Sequence, residues 1–376
     1  MSISLNDTIP ERGAAIVMRQ YGGPNVLQFE TVSLPPLRPD EIRIRTIASP
    51  INHSDLEIRA GNWPILQPNP FPYTPGLEVV GNVVEVGTNV SDFRIGERVI
   101  TMMQGLGGVR PQRPGGYAEY VAVRASAVAA VSADIDPLDI AALGLGSVTA
   151  FEALRKIGDL GGRRVAVTGA AGGVGSAAVA IARAQGAEVI GIISRSEQTE
   201  YVRSLGASTV VGSESVAAGA LGSESIDGIL DTVAGKTFAS YVAALRPGGV
   251  LSLIGAVGGS DVTFDAYRLL EVTLTGYASD TLDGPALRRA MHSISGWLSQ
   301  GVIRAPVHTL FTLEEAAAAH AKLEQHSIQG RVLLVSRHDE QRNRTIRGLF
   351  QWPLLNPVAA LCNGNDPILA SPHLRN

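Results

Sequence analysis

Residues 163–192 read RRVAVTGAAGGVGSAAVAIARAQGAEVIGI: an apolar run, a glycine-rich turn, a stretch of small residues at helical spacing, then a second apolar run. Glycines at such a turn let the backbone approach a pyrophosphate, and the helix behind it presents unpaired amide donors and a partial positive charge. Ala171, Gly172, Gly173 and Val174 are therefore candidate phosphate contacts. A glycine-rich turn alone is weak evidence. Here it follows a predicted strand at 164–168, opens a predicted helix and lies in a βαβ unit of about 30 residues, the context a dinucleotide site requires.

The end of the second strand discriminates between dinucleotides. An NAD site places an acidic residue there to hydrogen-bond the ribose hydroxyl, whereas this chain has Ile193, Ser194, Arg195, Ser196. A hydroxyl and a guanidinium suit a 2′-phosphate. Ser194 and Arg195 thus point to NADPH as cofactor, with a solvated surface arginine as the alternative reading of Arg195.

These residues need elements to hold them. Up to residue 131 the sequence shows short alternating apolar runs (41–47, 78–86, 98–102, 117–123) cut by Gly and Pro, which predicts a mostly-β, barrel-like unit. From about 137 the texture changes to Ala-rich helical segments alternating with apolar strands at 164–168, 188–193, 228–231 and 250–254. That alternation predicts an α/β unit with a doubly wound parallel sheet. A helix at 313–323 and a strand at 331–335 are expected to rejoin the first unit, and 341–376 loses periodicity and reads as a poorly ordered extension. The resulting division is 1–132, 133–304, 305–340 and 341–376.

Composition narrows the function classes. With 376 residues the chain is long enough for two cores, and its net charge of -4 without a basic stripe argues against nucleic acid as a partner. No run of about 18 apolar residues stands out as a membrane span, and no signal segment is evident, so a cytoplasmic location is expected. The single cysteine, Cys362, excludes an intramolecular disulfide framework and a cysteine-based zinc cluster.

Seven motifs in fixed order resemble the quinone oxidoreductase branch of the medium-chain dehydrogenase/reductase superfamily. They are INHSDLEIRAG (51–61), PYTPGLEVVGNVVEVG (72–87), FRIGERV (93–99), GGYAEYVAV (115–123), AALGLGSVTAFEAL (141–154), the AAGGVG turn and LRPGGVLSLIG (245–255). The resemblance implies a GroES-like catalytic domain built from both chain ends, a central Rossmann domain and a substrate cleft between them. It also implies a homodimer formed through the edge strand predicted at 272–276, and a nicotinamide held near Asn52, Ser147, Thr149, Leu253, Ile254 and Gly255.

Zinc-dependent members of the superfamily bind their catalytic metal with Cys, His and Cys. The matching positions here carry Asn52, Leu77 and the Gly/Leu run of ALGLGS, none of which is a soft donor. The expected chemistry is therefore metal-free. Lacking a Lewis acid to hold an alkoxide, the site suits hydride transfer to a quinone or enone, small conjugated acceptors.

Asn52 is the candidate donor to the developing oxyanion. Asp55 completes the NxxD spacing and is expected either to orient Asn52 or relay a proton, with a turn or cap role as the alternative. Tyr73 is a candidate for the cleft wall, with packing as the alternative. His53 is read as a polar cleft residue facing the pyrophosphate, and Glu78 as structural. Two other readings stay open: an alkenal, enone or enoyl double-bond reductase, and a weakly catalytic NADPH-binding structural or regulatory protein.

Overall fold

The computed structural model describes residues 9–325 and 330–336, so the extension at 341–376 lies outside the described residues. Strands β1 (Arg12–Val17) and β2 (Gln28–Ser33) form an antiparallel ribbon. They are followed by β3 (Glu41–Pro50), β4 (Glu78–Val86), β5 (Arg98–Met102), β6 (Tyr120–Arg124) and β7 (Val128–Ala130). Next come β8 (Arg164–Val167), β9 (Glu188–Ile193), β10 (Thr209–Gly212), β11 (Ile226–Asp231), β12 (Leu245–Leu253) and β13 (Thr273–Gly276). The last two are β14 (His308–Thr312) and β15 (Arg331–Val335).

Strands β8 to β13 make one six-stranded sheet in the order β10-β9-β8-β11-β12-β13, with every pairing parallel. Its central strands β8, β9 and β11 are largely buried because both faces are covered. Val165 and Val167 pack into one core cluster while Ala166, pointing the other way, packs into a second. In the other large sheet, β14 and β15 join β3, β4, β5 and β7, with β6 also pairing with β3. Strand β3 is buried on both faces for the same kind of reason. Ile42 and Ile44 fill the barrel interior, while Ile47 and Ala48 face the cluster built around the helix at Pro137–Arg155. The fold is thus a Rossmann-like parallel sheet joined to a GroES-like β unit.

Three helices position the site: α1 (His53–Ala60), α2 (Pro137–Arg155) and α3 (Gly173–Ala184). α2 corrects one expectation, since it has the length and composition of a membrane span. It is almost wholly buried, packed against β3, β4 and α3, which makes it the central helix of the core. It also breaks in the middle: Gly144, with φ 35° and ψ -143°, is non-helical. A side chain there would run into Glu78, because a methyl group on Gly144 would lie 1.8 Å from Glu78 Oε1.

Candidate active site

The strand order of the parallel sheet reverses between β8 and β11, and open α/β sheets bind ligands in the crevice at the carboxyl ends of such strands. The glycine-rich turn emerges from β8 at this point. Gly169 takes a left-handed φ of 56°, and a methyl group on it would lie 2.3 Å from Thr232 Oγ1, at the end of β11. Gly175 allows the turn to close on itself, since a methyl group there would lie 2.1 Å from the Gly169 carbonyl oxygen. Gly172 caps α3 without any side-chain hydrogen bond, leaving the first amides of the helix to a ligand. Ala171, Gly172, Gly173 and Val174 all stand at this end, half-buried or exposed.

Two other strand ends open onto the same edge of the sheet. β9 delivers Ser194 and Arg195, both exposed, and Gln198 Oε1 accepts a hydrogen bond from the Arg195 backbone N–H at 3.3 Å. Among the described residues no carboxylate pairs with the Arg195 guanidinium. β12 delivers Leu253, Ile254 and Gly255, with the Ile254 N–H donating to the Asp231 carbonyl at 2.8 Å. Gly255 is tight against β11, where a methyl group would lie 2.8 Å from the Thr232 carbonyl oxygen. Ser147 and Thr149 are buried in α2 beyond its break, and Gly146 of the same turn abuts Gly173.

The other wall is a buried polar cluster. Asn52 precedes α1, and the Asp55 carboxylate accepts its backbone N–H at 2.8 Å, which starts the helix as a cap would. The Asn52 side chain is held at both ends. Its Nδ2 donates to Glu78 Oε2 at 3.3 Å, and its Oδ1 accepts from Arg331 Nη2 at 2.9 Å. The other Glu78 oxygen accepts the Leu145 backbone N–H at 2.9 Å, at the break of α2. Arg331 also reaches the phosphate turn: a methyl group on Gly173 would lie 3.6 Å from its Nη1. Its Nε is buried and meets no partner among the described residues.

Burial dominates the ionisation of this cluster. Desolvation pushes the Asp55 carboxyl up to about 7 against the hydrogen bonds from Asn52 and the charge of Arg331. The Glu78 carboxyl is likewise pushed up by burial, and the neighbouring Asp55 charge adds to the rise while Arg331 opposes it.

The structure brings Asn52 and Asp55 together, and among the described residues neither Tyr73 nor His53 shares a hydrogen bond with them. Tyr73 is buried in the apolar cluster with Leu77 and Tyr117, and its hydroxyl donates to the Gly108 carbonyl at 3.1 Å, which is the packing arrangement. His53 opens α1 with its side chain mostly exposed, and its Nε2 lies 3.3 Å from Glu57 Oε1. Sequence reasoning missed Arg331 altogether. The available signal was a lone arginine directly after Gly330 at the head of an otherwise apolar strand.

A catalytic zinc does not fit these residues. Leu77 offers no donor and is buried among apolar side chains, and both ends of the Asn52 amide are engaged. Among the described residues no group of three or more His, Cys, Asp and Glu side chains is placed to hold a metal ion. A dinucleotide does fit, given uncapped helix amides, a turn only glycine can close, and an arginine with a spare buried donor facing it.

Comparison with known proteins agrees with this geometry. Residues 38–133 match the alcohol dehydrogenase GroES-like domain, and residues 173–294 match the domain described as zinc-binding dehydrogenase. The chain is 30% identical over 338 residues to 2-haloacrylate reductase from Burkholderia sp, covering 85% of this chain and 98% of that one. It is 28% identical over 333 residues to quinone oxidoreductase from Sus scrofa, covering 86% and 97% of the two chains. The crystal structure of Escherichia coli quinone oxidoreductase complexed with NADPH superposes with a TM-score of 0.73 at 26% identity, covering 86% and 99%.

Proposed function

The chain belongs to the quinone oxidoreductase-like family of medium-chain dehydrogenases/reductases and is an oxidoreductase, and from that premise we propose that it reduces a quinone or conjugated carbonyl with NADPH and without zinc. The observation that carries the choice of cofactor is the end of β9, where Ser194 and an unpaired Arg195 stand in place of a carboxylate. The likeness to a solved quinone oxidoreductase complexed with NADPH supports the same reading.

In this reading the amides of Gly173 and Val174 and the guanidinium of Arg331 hold the pyrophosphate, which runs past the close-packed backbone of Gly172, and Ser194 with Arg195 holds the 2′-phosphate. Ser147, Thr149, Leu253, Ile254 and Gly255 line the nicotinamide end. When bound, NADPH supplies a hydride from C4 of its nicotinamide ring. Asn52 Nδ2 donates to Glu78 and its side chain also bonds the Asp55 carboxyl, and in this reading its second hydrogen turns to the acceptor's carbonyl oxygen as negative charge builds there. Asp55 fixes the backbone of Asn52 and acts as a positioning residue. The protein works as a homodimer paired through the β13 edge, whose flank exposes Tyr267, Leu269 and Leu270.

A second acceptor class is favoured by one finding. The relative at 30% identity is named for reduction of a haloacrylate, whose carbon–carbon double bond is conjugated with a carboxylate. The two classes are separated by products: a hydroquinone from one, a saturated carbonyl from the other. Chelator-treated protein is expected to consume NADPH with at least one of these acceptors. Activity lost on chelation and restored by zinc would overturn the metal-free assignment.

A further inference from the structure

The buried cluster beside the phosphate turn holds two carboxylates and one cation, an imbalance that matters once that cation acquires a second anionic partner. We propose that Asp55, Glu78 and Arg331 form a proton-binding site coupled to the dinucleotide: as Arg331 turns to the pyrophosphate, the carboxylate pair takes up one proton. The inference rests on the cofactor reading above and extends it.

The geometry supplies the coupling. Arg331 is shared between two places, with Nη2 on Asn52 Oδ1 and Nη1 facing Gly173, the first residue of α3. Asn52 links it to Glu78, and the Asp55 carboxylate sits on the Asn52 backbone N–H. With both acids ionised the trio carries one net negative charge, and with one proton added it is neutral. A pyrophosphate that engages Arg331 brings more negative charge to the cluster and draws the guanidinium away from the carboxylates, and both effects favour their protonated form. Asn52 can accommodate the change. Its Nδ2 can stay on Glu78 when Arg331 leaves Oδ1, because a protonated carboxyl keeps acceptor capacity for the Asn52 amide and the Leu145 N–H.

Among the described residues the surroundings offer no other ready titrating group. Tyr73 and Tyr117 face the cluster, and burial holds both phenols far above the neutral range. Behind Tyr117, the His320 Nε2 lies 3.1 Å from the phenol oxygen. Arg59 donates toward His320 Nδ1 and pairs with Glu324, and burial beside that guanidinium pushes the imidazole down to about 3. The carboxyls of Asp55 and Glu78, raised by burial toward neutral pH, are poised to take up the proton.

The test is calorimetric titration of the wild-type protein with NADPH and with NADH at about pH 8, in two buffers that differ in ionisation enthalpy. The 2′-phosphate, with a second pKa of about 6, is fully ionised there, and NADH lacks it. The proposal expects uptake of a substantial fraction of one proton with either cofactor. It also expects affinity to fall by up to about tenfold per unit above pH 7, and both effects to shrink in Glu78→Gln and Asp55→Asn. Tight binding with no proton uptake and a flat pH profile would overturn the proposal while leaving the cofactor assignment standing. Failure to bind either dinucleotide would overturn both. The wild-type pH profile alone decides the matter if a variant does not fold.

Discussion

Replacing Glu78 by glutamine removes a buried ionisable group while keeping its shape, and the structure fixes how the effect depends on pH. Burial raises the Glu78 carboxyl from 4.5 to about 7. Between those values the folded protein binds more protons than the unfolded chain. Stability contributed by this group is therefore full below about pH 4.5 and is lost as the pH rises through 7. A shift of about 2.5 units at 1.36 kcal/mol each corresponds to about 3 kcal/mol lost by pH 8. Glutamine escapes this loss. Its Oε1 still accepts the Leu145 N–H, but its Nε2 faces the Asn52 amide, a mismatch costing about 1 kcal/mol at any pH. In urea unfolding of both proteins, Glu78→Gln should be slightly the less stable at pH 4.5 and the more stable at pH 8, by about 2 kcal/mol. Parallel stability curves, or a difference that grows in the opposite direction, would refute a raised carboxyl at this position.

Three other outcomes are expected. Gly175→Ala puts a methyl group 2.1 Å from the Gly169 carbonyl oxygen, so NADPH binding measured by fluorescence titration should weaken by about tenfold or more, with the circular dichroism spectrum retained. Asn52→Ala should lower kcat by roughly 10²-fold through loss of the amide donor; an unchanged kcat would return Asn52 to a purely structural role. Light scattering should give a dimer at micromolar concentration, and Leu270→Lys should shift it toward monomer by placing charge on an exposed apolar flank of the β13 edge.

The parts of the fold written in local pattern were legible in the sequence. The strand at 188–193 and that at 331–335 coincide with the observed β9 and β15, because short apolar runs declare buried strands. Boundaries moved where distant chain segments intervene. The run at 117–123 enters its strand only at Tyr120, since Tyr117 instead donates its N–H to the Pro75 carbonyl and Ala118 bridges to Ala15. The strand expected at 250–254 begins earlier, at Leu245, through pairing with Ile226 across a register shift. The phosphate turn was readable because its chemistry lies within one βαβ unit. The polar cluster was not, because Asn52 and Arg331 are 279 positions apart and meet only through the pairing of β15 with β3. Nor does sequence spacing reveal that Gly144 is bare to admit the Glu78 carboxylate, or that Tyr73 spends its hydroxyl on a backbone carbonyl.

The most direct test of the account is the specificity constant for NADPH against NADH, measured with one quinone or enone acceptor on chelator-treated wild-type protein and on Arg195→Ala. A charge-assisted contact with the 2′-phosphate is worth roughly 1.5 to 3 kcal/mol, which is about 10 to 150-fold. The account predicts a preference for NADPH of that order in the wild type, most of which disappears in Arg195→Ala through a higher KM for NADPH while NADH is little affected. Equal use of both cofactors by the wild type, or equal impairment of both in the variant, would contradict it.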